Sequence, residues 1–189
     1  GSSEAGVAGN QDVRQEVLIL AADETGEANR DLKKKELWRI LWEHDGAMCL
    51  VFCQMKKTAA VLSYQLKEDG FSARGLHGDM EQSDRTEAMR AFRSGEVKIL
   101  VATDVAARGL DVKGITLVVN YDPAIQLDDH VHRIGRTSRG GQRGVAYTLL
   151  GSEDVRQAKF VAESLRSSGL SVPAAVENLA AKPTGSKNK

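Results

Sequence analysis

The sequence predicts an α/β fold: a doubly wound, mostly parallel sheet flanked by helices. Two patterns and the chain length lead there. Short apolar runs, centred in Ala47–Cys53, Lys98–Ala102 and Thr116–Asn120, are continuous rather than alternating, as in strands buried on both faces. Stretches with apolar residues at helical spacing separate them, which is the rhythm of strand–helix–strand units and a parallel sheet. At 189 residues the chain is long enough for one domain with a sizeable core and two tails.

Taken in order, residues 1–12 are small, polar and Gly-rich and read as a disordered leader, with Gly1-Ser2-Ser3 resembling a cloning remnant. The main domain is expected over residues 13–170. Arg14–Ala21 is its first strand, and Asp31 can cap a helix carrying Leu32, Leu37, Trp38, Leu41 and Trp42. The i, i+4 spacing of Trp38 and Trp42 assigns both to the core. Strand Ala47–Cys53 leads to a helix over Thr58–Asp69, closed by Gly70 as a C′ glycine. Ser72–Leu76 is a short strand, and Ser83 can cap a helix running to Gly95. Strand Lys98–Ala102, a helical turn over Val105–Leu110 and strand Thr116–Asn120 come next. A helix is expected over Asp128–Thr137, a last strand over Val145–Leu149, and a helix capped by Ser152 and closed by Gly169. Residues 171–189 read as a flexible basic tail with room for one helical turn.

Composition sets bounds. Lys+Arg and Asp+Glu are both 26, so any electropositive surface is local. Cys49 and Cys53 fall within one expected strand, too far apart to bridge, and read as reduced core residues of an intracellular protein, nuclear or cytoplasmic. No apolar run approaches the roughly 18 residues of a membrane span.

The functional signal centres on His132-Arg133-Ile134-Gly135-Arg136-Thr137-Ser138-Arg139. On a continuous helix His132, Arg136 and Arg139 share a face at i, i+4 and i+7. No Asp or Glu lies between Asp129 and Glu153, and Arg143 adds another guanidinium. A cationic row without local carboxylates suits phosphate, against the plain reading of a solvated basic loop.

In a parallel α/β sheet, ligands bind outside the carboxyl ends of the strands. The residues there are Gln54, His77-Gly78-Asp79, Thr103-Asp104 and Tyr121-Asp122. Thr103-Asp104-Val105-Ala106-Ala107-Arg108-Gly109-Leu110-Asp111 runs from strand into helical turn, where a hydroxyl and free amides can hold a phosphate. Its small residues Ala106, Ala107 and Gly109 would let a ligand approach the backbone, and Asp111 can accept from ribose hydroxyls. The competing reading is a compact turn capped by Asp111. The chain carries no G-x-x-x-x-G-K-[ST] and no G-x-G-x-x-G. Arginines without a phosphate cradle suggest cations supplied to a nucleotide held by another domain.

These segments resemble the DEAD-box RNA helicases. HRIGRTSR is similar to motif VI of that family, VATDVAARGLD (101–111) to motif V, CLVFCQ (49–54) to motif IV, and Gln82–Arg85 to its Q-x-x-R element, with LHGDM (76–80) between. The resemblance spans roughly residues 13–165 in intact order. It implies the second, C-terminal RecA-like domain of a two-domain ATP-dependent helicase, with P-loop NTPase-like topology. By position, Arg136 and Arg139 would reach the ATP γ-phosphate, His132 would couple nucleotide to the interdomain contact, and Asp111 would bind ribose, with Gly109 and Arg133 also on the nucleotide side. Thr103, Arg85, Gln82, Gln54 and the His77-Gly78 backbone would touch RNA phosphates without reading bases. ATP with Mg2+ is the implied cofactor, bound mainly by the N-terminal domain, and no metal site is expected in this chain. RNA and that N-terminal domain are the implied partners, and the chain by itself is expected to be monomeric and inactive.

Two positions depart from the family pattern. Ser138 stands where Gly is usual, and Met55 stands near a usual Thr, removing a hydroxyl from one RNA contact. Two other classes fit parts of the sequence: a stand-alone RNA-binding or scaffold module using the same basic edge, and a small-molecule α/β enzyme. The latter lacks a nucleophile–base pair or Gly-rich fingerprint at the strand ends.

Overall fold

The computed structural model describes residues 13–22, 24, 30–138 and 143–184. Within them the strands are β1 (Val13–Leu20), β2 (Cys49–Phe52), β3 (Ala73–Leu76), β4 (Ile99–Ala102), β5 (Leu117–Asn120) and β6 (Gly144–Gly151). The helices are α1 (Arg30–Glu43), α2 (Lys56–Glu68), α3 (Gln82–Arg93), α4 (Asp104–Ala107), α5 (Leu127–Ile134), α6 (Val155–Ser167) and α7 (Ala174–Ala180). The strands form one sheet in the order β1-β6-β5-β2-β4-β3, and every pairing is parallel. This is the doubly wound α/β fold that the continuous apolar runs require.

Side chains alternate across the sheet and both faces are covered. Leu37, Ile40 and Leu41 of α1, with Ala59, Leu62 and Leu66 of α2, pack over Cys49, Val51, Val101, Val119 and Leu149. On the other face Phe92 of α3, Ala106 and Ala107 of α4 and Ile134 of α5 pack over Leu50, Phe52, Leu100, Val118 and Ala146. Each large side chain buried this way contributes roughly 1.5–3 kcal/mol. Cys49 and Cys53 are buried free thiols, and burial pushes both well above the ordinary thiol range, so they stay protonated core residues.

Several expectations are corrected. Glu81, not Ser83, precedes α3, and Asp154 rather than Ser152 begins α6, with Asp154 Oδ2 accepting from the Gly151 amide at 2.8 Å. The Asp128–Thr137 helix stops at Ile134. Residues 171–184 are more than a loose tail: α7 buries Val176 and Leu179 against Leu150, Val161 and Leu165, because its apolar pair completes a third cluster with α6 and β1. Trp38 is half-buried, but Trp42 is 61% exposed and leaves the core, since Leu37, Ile40 and Leu41 already fill the inward stripe of α1. The 1–12 leader and residues 185–189 lie outside the described residues. Among those described, no helix is long and apolar enough to cross a membrane.

The register brings several strand ends to one level. Phe52 pairs with Ala102 and Asn120, and Leu76 pairs with Ala102, so β5, β2, β4 and β3 end together. At the opposite end of the sheet, Thr137, fully buried, donates to the Ile115 carbonyl at 2.7 Å and sits against the first residue of β6. A Cβ on Gly144 would overlap Thr137 Oγ1 and lie 2.7 Å from its Cβ, which a short branched side chain cannot relieve by rotating. Gly144→Ala is therefore expected to destabilise the fold by about 2–3 kcal/mol, read as a lower urea midpoint at unchanged slope.

Candidate active-site edge

Because four strands end level, the polar residues after them form one edge. Gln54, His77 and Thr103 follow the adjacent strands β2, β3 and β4, and Asp122 follows β5 beside β2. Asp122 holds the edge together. One carboxylate oxygen accepts from the Gln54 amide at 2.9 Å and the other from Lys33 Nζ of α1 at 2.7 Å. Lys33 also lies 4.7 Å from the Tyr121 ring centroid. Desolvation in this cluster, with Asp122 alongside, raises the Tyr121 phenol.

Thr103 caps α4, its hydroxyl accepting from the Ala106 amide at 3.4 Å, and remains half-exposed. Gly78 and Gln54 are exposed, and Arg85, one turn into α3, is half-exposed. Gln82, at the start of that helix, donates to Thr86 Oγ1 at 3.4 Å. His77 has a buried Nδ1 without a hydrogen-bond partner among the described residues. Ala106 and Ala107 do not open the backbone to a ligand as their size suggested. Both are buried, and their smallness lets α4 pack on the sheet.

The second half of the edge is built around a buried cation. Arg133 is 1% exposed. Its Nε and Nη2 donate to the two oxygens of Asp104 at 2.7 and 2.6 Å, and Nη1 donates to the Asp122 carbonyl at 2.7 Å and to Asn120 Oδ1 at 3.4 Å. The guanidinium lies 4.9 Å from the Phe52 ring centroid. Arg133, which the family resemblance puts on the nucleotide side, is held inside the domain by these bonds. Asn120 completes the set by donating to Thr148 Oγ1 at 3.1 Å. Beside it, His130 is 2% exposed with an unpartnered Nε2, and burial with the Arg133 charge pushes its pKa down to about 4, so it is neutral near pH 7.

With Arg133 inside, His132 on the same helix is exposed and Arg136 lies half-exposed past the helix end. Arg136 Nη1 donates to the Leu110 carbonyl at 2.9 Å, which brings it beside the exposed Asp111. Gly109, at φ 73°, turns the chain between α4 and Asp111, and a Cβ there would meet only open space, so the backbone conformation rather than crowding calls for glycine. Ser138 adopts φ 67°, the left-handed region, which explains why glycine suits this position. Helix α5 ends at Ile134 and the chain turns at Ser138, so Arg136 lies beyond the helix that carries His132. Arg139 itself lies outside the described residues.

Sequence reasoning missed Asp104, Asn120 and Lys33 as the residues that fix this edge. An unpaired buried arginine is not tolerated, so a carboxylate partner for Arg133 could have been sought, but its identity depends on tertiary contact. Among the described residues no group of three His, Cys, Asp or Glu side chains is arranged to hold a metal ion.

The all-parallel sheet and its strand-end edge define a RecA-like α/β domain. Residues 32–141 match the helicase conserved C-terminal domain family. The chain is similar to DEAD-box ATP-dependent RNA helicase 46 of Arabidopsis thaliana, 39% identical over 181 residues, covering 95% of this chain and 27% of that protein. It is 45% identical over 130 residues to the ATP-dependent RNA helicase DbpA of Escherichia coli (strain K12), covering 69% of this chain and 28% of that protein. Among solved structures it resembles the yeast DEAD-box splicing factor Prp28, with TM-score 0.75 and 29% identity over 95% of this chain and 39% of that chain. It also resembles S. cerevisiae Dbp5 bound to RNA and ADP BeF3, with TM-score 0.70 and 29% identity over 85% of this chain and 40% of that chain. The chain belongs to the DEAD-box RNA helicase family and is its C-terminal, RecA-like domain. It spans about a quarter of the length of these curated relatives.

Removing one partner of a buried, multiply bonded ion pair costs about 3–5 kcal/mol. Asp104 is partly exposed and can rehydrate, so Arg133→Ala is expected at the lower end, about 3 kcal/mol. Denaturant unfolding checks this, and Arg133→Lys is expected to recover little because one ammonium cannot serve four acceptors in this fork geometry.

Proposed function

We propose that this chain is the C-terminal half of an ATP-dependent RNA helicase, supplying Arg136 and Arg139 to ATP held by an N-terminal RecA-like domain while its strand-end edge grips the RNA backbone. The observation that carries the reading is Arg136 anchored on the Leu110 carbonyl, beside Asp111, at the end of a helix pinned by buried Arg133. A half-exposed guanidinium, an exposed carboxylate and the open space at Gly109 fit a nucleotide's phosphates and ribose. The nucleotide with Mg2+ supplies the phosphoryl group transferred to water, and this chain contributes charge and position. In that reading Arg136 stabilises charge developing on the γ-phosphate, Asp111 orients the ribose, and His132 meets the partner domain. No residue of this chain is assigned to the metal.

The RNA side uses Thr103, Arg85, Gln82, Gln54 and the His77-Gly78 backbone, groups suited to phosphates. Its coupling to the nucleotide side runs through adjacent residues: Thr103 faces the RNA edge, and Asp104 holds Arg133. A shift of the Thr103 turn on RNA therefore moves the anchor of the helix that positions Arg136. This supports coupling of ATP hydrolysis to local strand separation or remodelling of RNA–protein complexes. The similarity to ATP-dependent RNA helicases of Arabidopsis thaliana and Escherichia coli supports the same reading.

In the intact protein, Arg136→Ala is expected to lower RNA-stimulated ATP hydrolysis by roughly 10³–10⁵-fold with little change in ATP affinity. Phosphate release and nucleotide titration together check this, and near-normal turnover would remove Arg136 from the mechanism. With an ATP analogue bound, Arg85→Ala is expected to weaken unrelated single strands about equally and to lower the salt slope by roughly one phosphate contact. Selective loss of one sequence at an unchanged slope would refute backbone gripping.

A further inference from the structure

Helix α5 has 8 residues, too few to be helical on their own, so it depends on the side chains it buries. Those are His130, Arg133 and Ile134, at i, i+3 and i+4 along one stripe. Ile134 joins the apolar cluster on that face of the sheet, and Arg133 has its ion pair and carbonyl. His130 has neither. It is 2% exposed, and its buried Nε2 finds no hydrogen-bond partner among the described residues. A neutral imidazole can sit there at modest cost, whereas an imidazolium carries a second N–H and a charge that both need acceptors.

The surrounding charges would not receive an imidazolium. Arg133, one turn on, acts on His130 with the same sign that a protonated ring would carry. Asp104 of α4 is held through both oxygens by the Arg133 fork. On α5 itself Asp128 and His132 are exposed and Asp129 is half-exposed, away from the buried stripe. Strands β5 and β6 carry no charged residue. Helix α6 packs against α5, and its charged side chains Arg156, Lys159, Glu163 and Arg166 are all exposed. Ahead of α6, Glu153 is exposed and Asp154 turns back to the Gly151 amide.

We propose that His130 is an acid-sensitive lock on α5: the helix is seated while the buried imidazole is neutral, and uptake of one proton from solvent drives His130 outward and unseats it. The arginine segment follows, since α5 carries Arg133 and runs directly into Arg136. His132 does not set the lock, because its exposed ring meets water whether or not the helix is seated. The inference concerns the seating of α5 and does not depend on the nucleotide or RNA reading. An exposed histidine takes up its proton near pH 6.5, the buried ring of His130 only at about 4. Between those values the open state holds one more proton than the seated one, so falling pH favours opening. The gain is at most tenfold per pH unit, roughly thirtyfold from pH 7.5 to pH 5.

Amide hydrogen exchange of the 189-residue chain, corrected for the intrinsic rate at each pH, tests this. Helix α2, on the opposite face of the sheet, serves as the reference. The opening constant of residues 127–134 is expected to rise roughly thirtyfold from pH 7.5 to pH 5 relative to α2. His130→Phe keeps a ring that cannot titrate, and it is expected to lose most of that rise. In proton NMR the His130 ring is expected to titrate well below the ring of His132. Titration of the two rings together, or a rise in α5 as steep in His130→Phe as in the wild type, overturns the proposal. An equal rise in α2 also overturns it, since acid would then unfold the whole domain rather than release one helix. Should His130→Phe fail to fold, His130→Gln takes its place, and the wild-type ring titration and the ratio of α5 to α2 exchange decide.

Discussion

The edge of this domain depends on one desolvated charge. A guanidinium with five donors, taken almost wholly out of water, must find acceptors for them or unfold its surroundings. Arg133 finds them on three different elements: the Asp104 carboxylate at the start of α4, the Asp122 carbonyl beyond β5 and the Asn120 amide at the end of β5. The bond pattern fixes the distance between helices that sequence places 29 residues apart. It also sets the direction of α5, since a buried Arg133 leaves His132 outside. The exposed chemistry of the arginine segment follows from the residue that is not exposed.

The parallel register supplies the second constraint. With Phe52, Ala102, Leu76 and Asn120 level, the next residue or two of each strand meet at one height. Asp122 uses that height, binding the Gln54 amide on one side and Lys33 on the other. The carboxylate thereby satisfies a backbone donor past the end of the ladder and draws α1 to the same edge. Sheet, α1 and α5 are thus tied at the two adjacent residues Tyr121 and Asp122, and displacement of any one is felt by the others.

Most of the fold was legible because it rests on short-range signals. The apolar cores of β2, β4 and β5 and the φ 91° glycine after α2 were all readable from local pattern. The strand ends that form the edge followed from topology. What failed depended on contacts between distant residues. The spacing of His132, Arg136 and Arg139 implied a continuous helix, but the chain turns at Ser138, and no local pattern reveals a left-handed serine. Trp42 obeyed helical periodicity yet lies outside because three smaller residues filled the inward stripe first. Residues 171–189 read as a basic tail, but α6 and β1 offer Val176 and Leu179 of α7 a partly built apolar surface.

The turn after α5 shows how these constraints combine. Helix α5 ends at Gly135, whose amide bonds the Val131 carbonyl, and the next two residues tighten with bonds from Arg136 to Arg133 and from Thr137 to Ile134. Thr137 then buries its hydroxyl on the Ile115 carbonyl, a contact possible only because Gly144 presents no side chain. With residue 133 fixed by its ion pair and residue 137 by this contact, Arg136 is held from both sides within four residues. Its reach toward Leu110 is therefore a property of the backbone and not of a long side chain searching for an acceptor. The left-handed Ser138 comes immediately after, at a cost on the order of 1–2 kcal/mol for a residue with a Cβ. A flexible arginine would lose rotamer entropy each time it met a phosphate. An arginine positioned this way has given up part of that freedom on folding, which is what a stabiliser of developing charge requires.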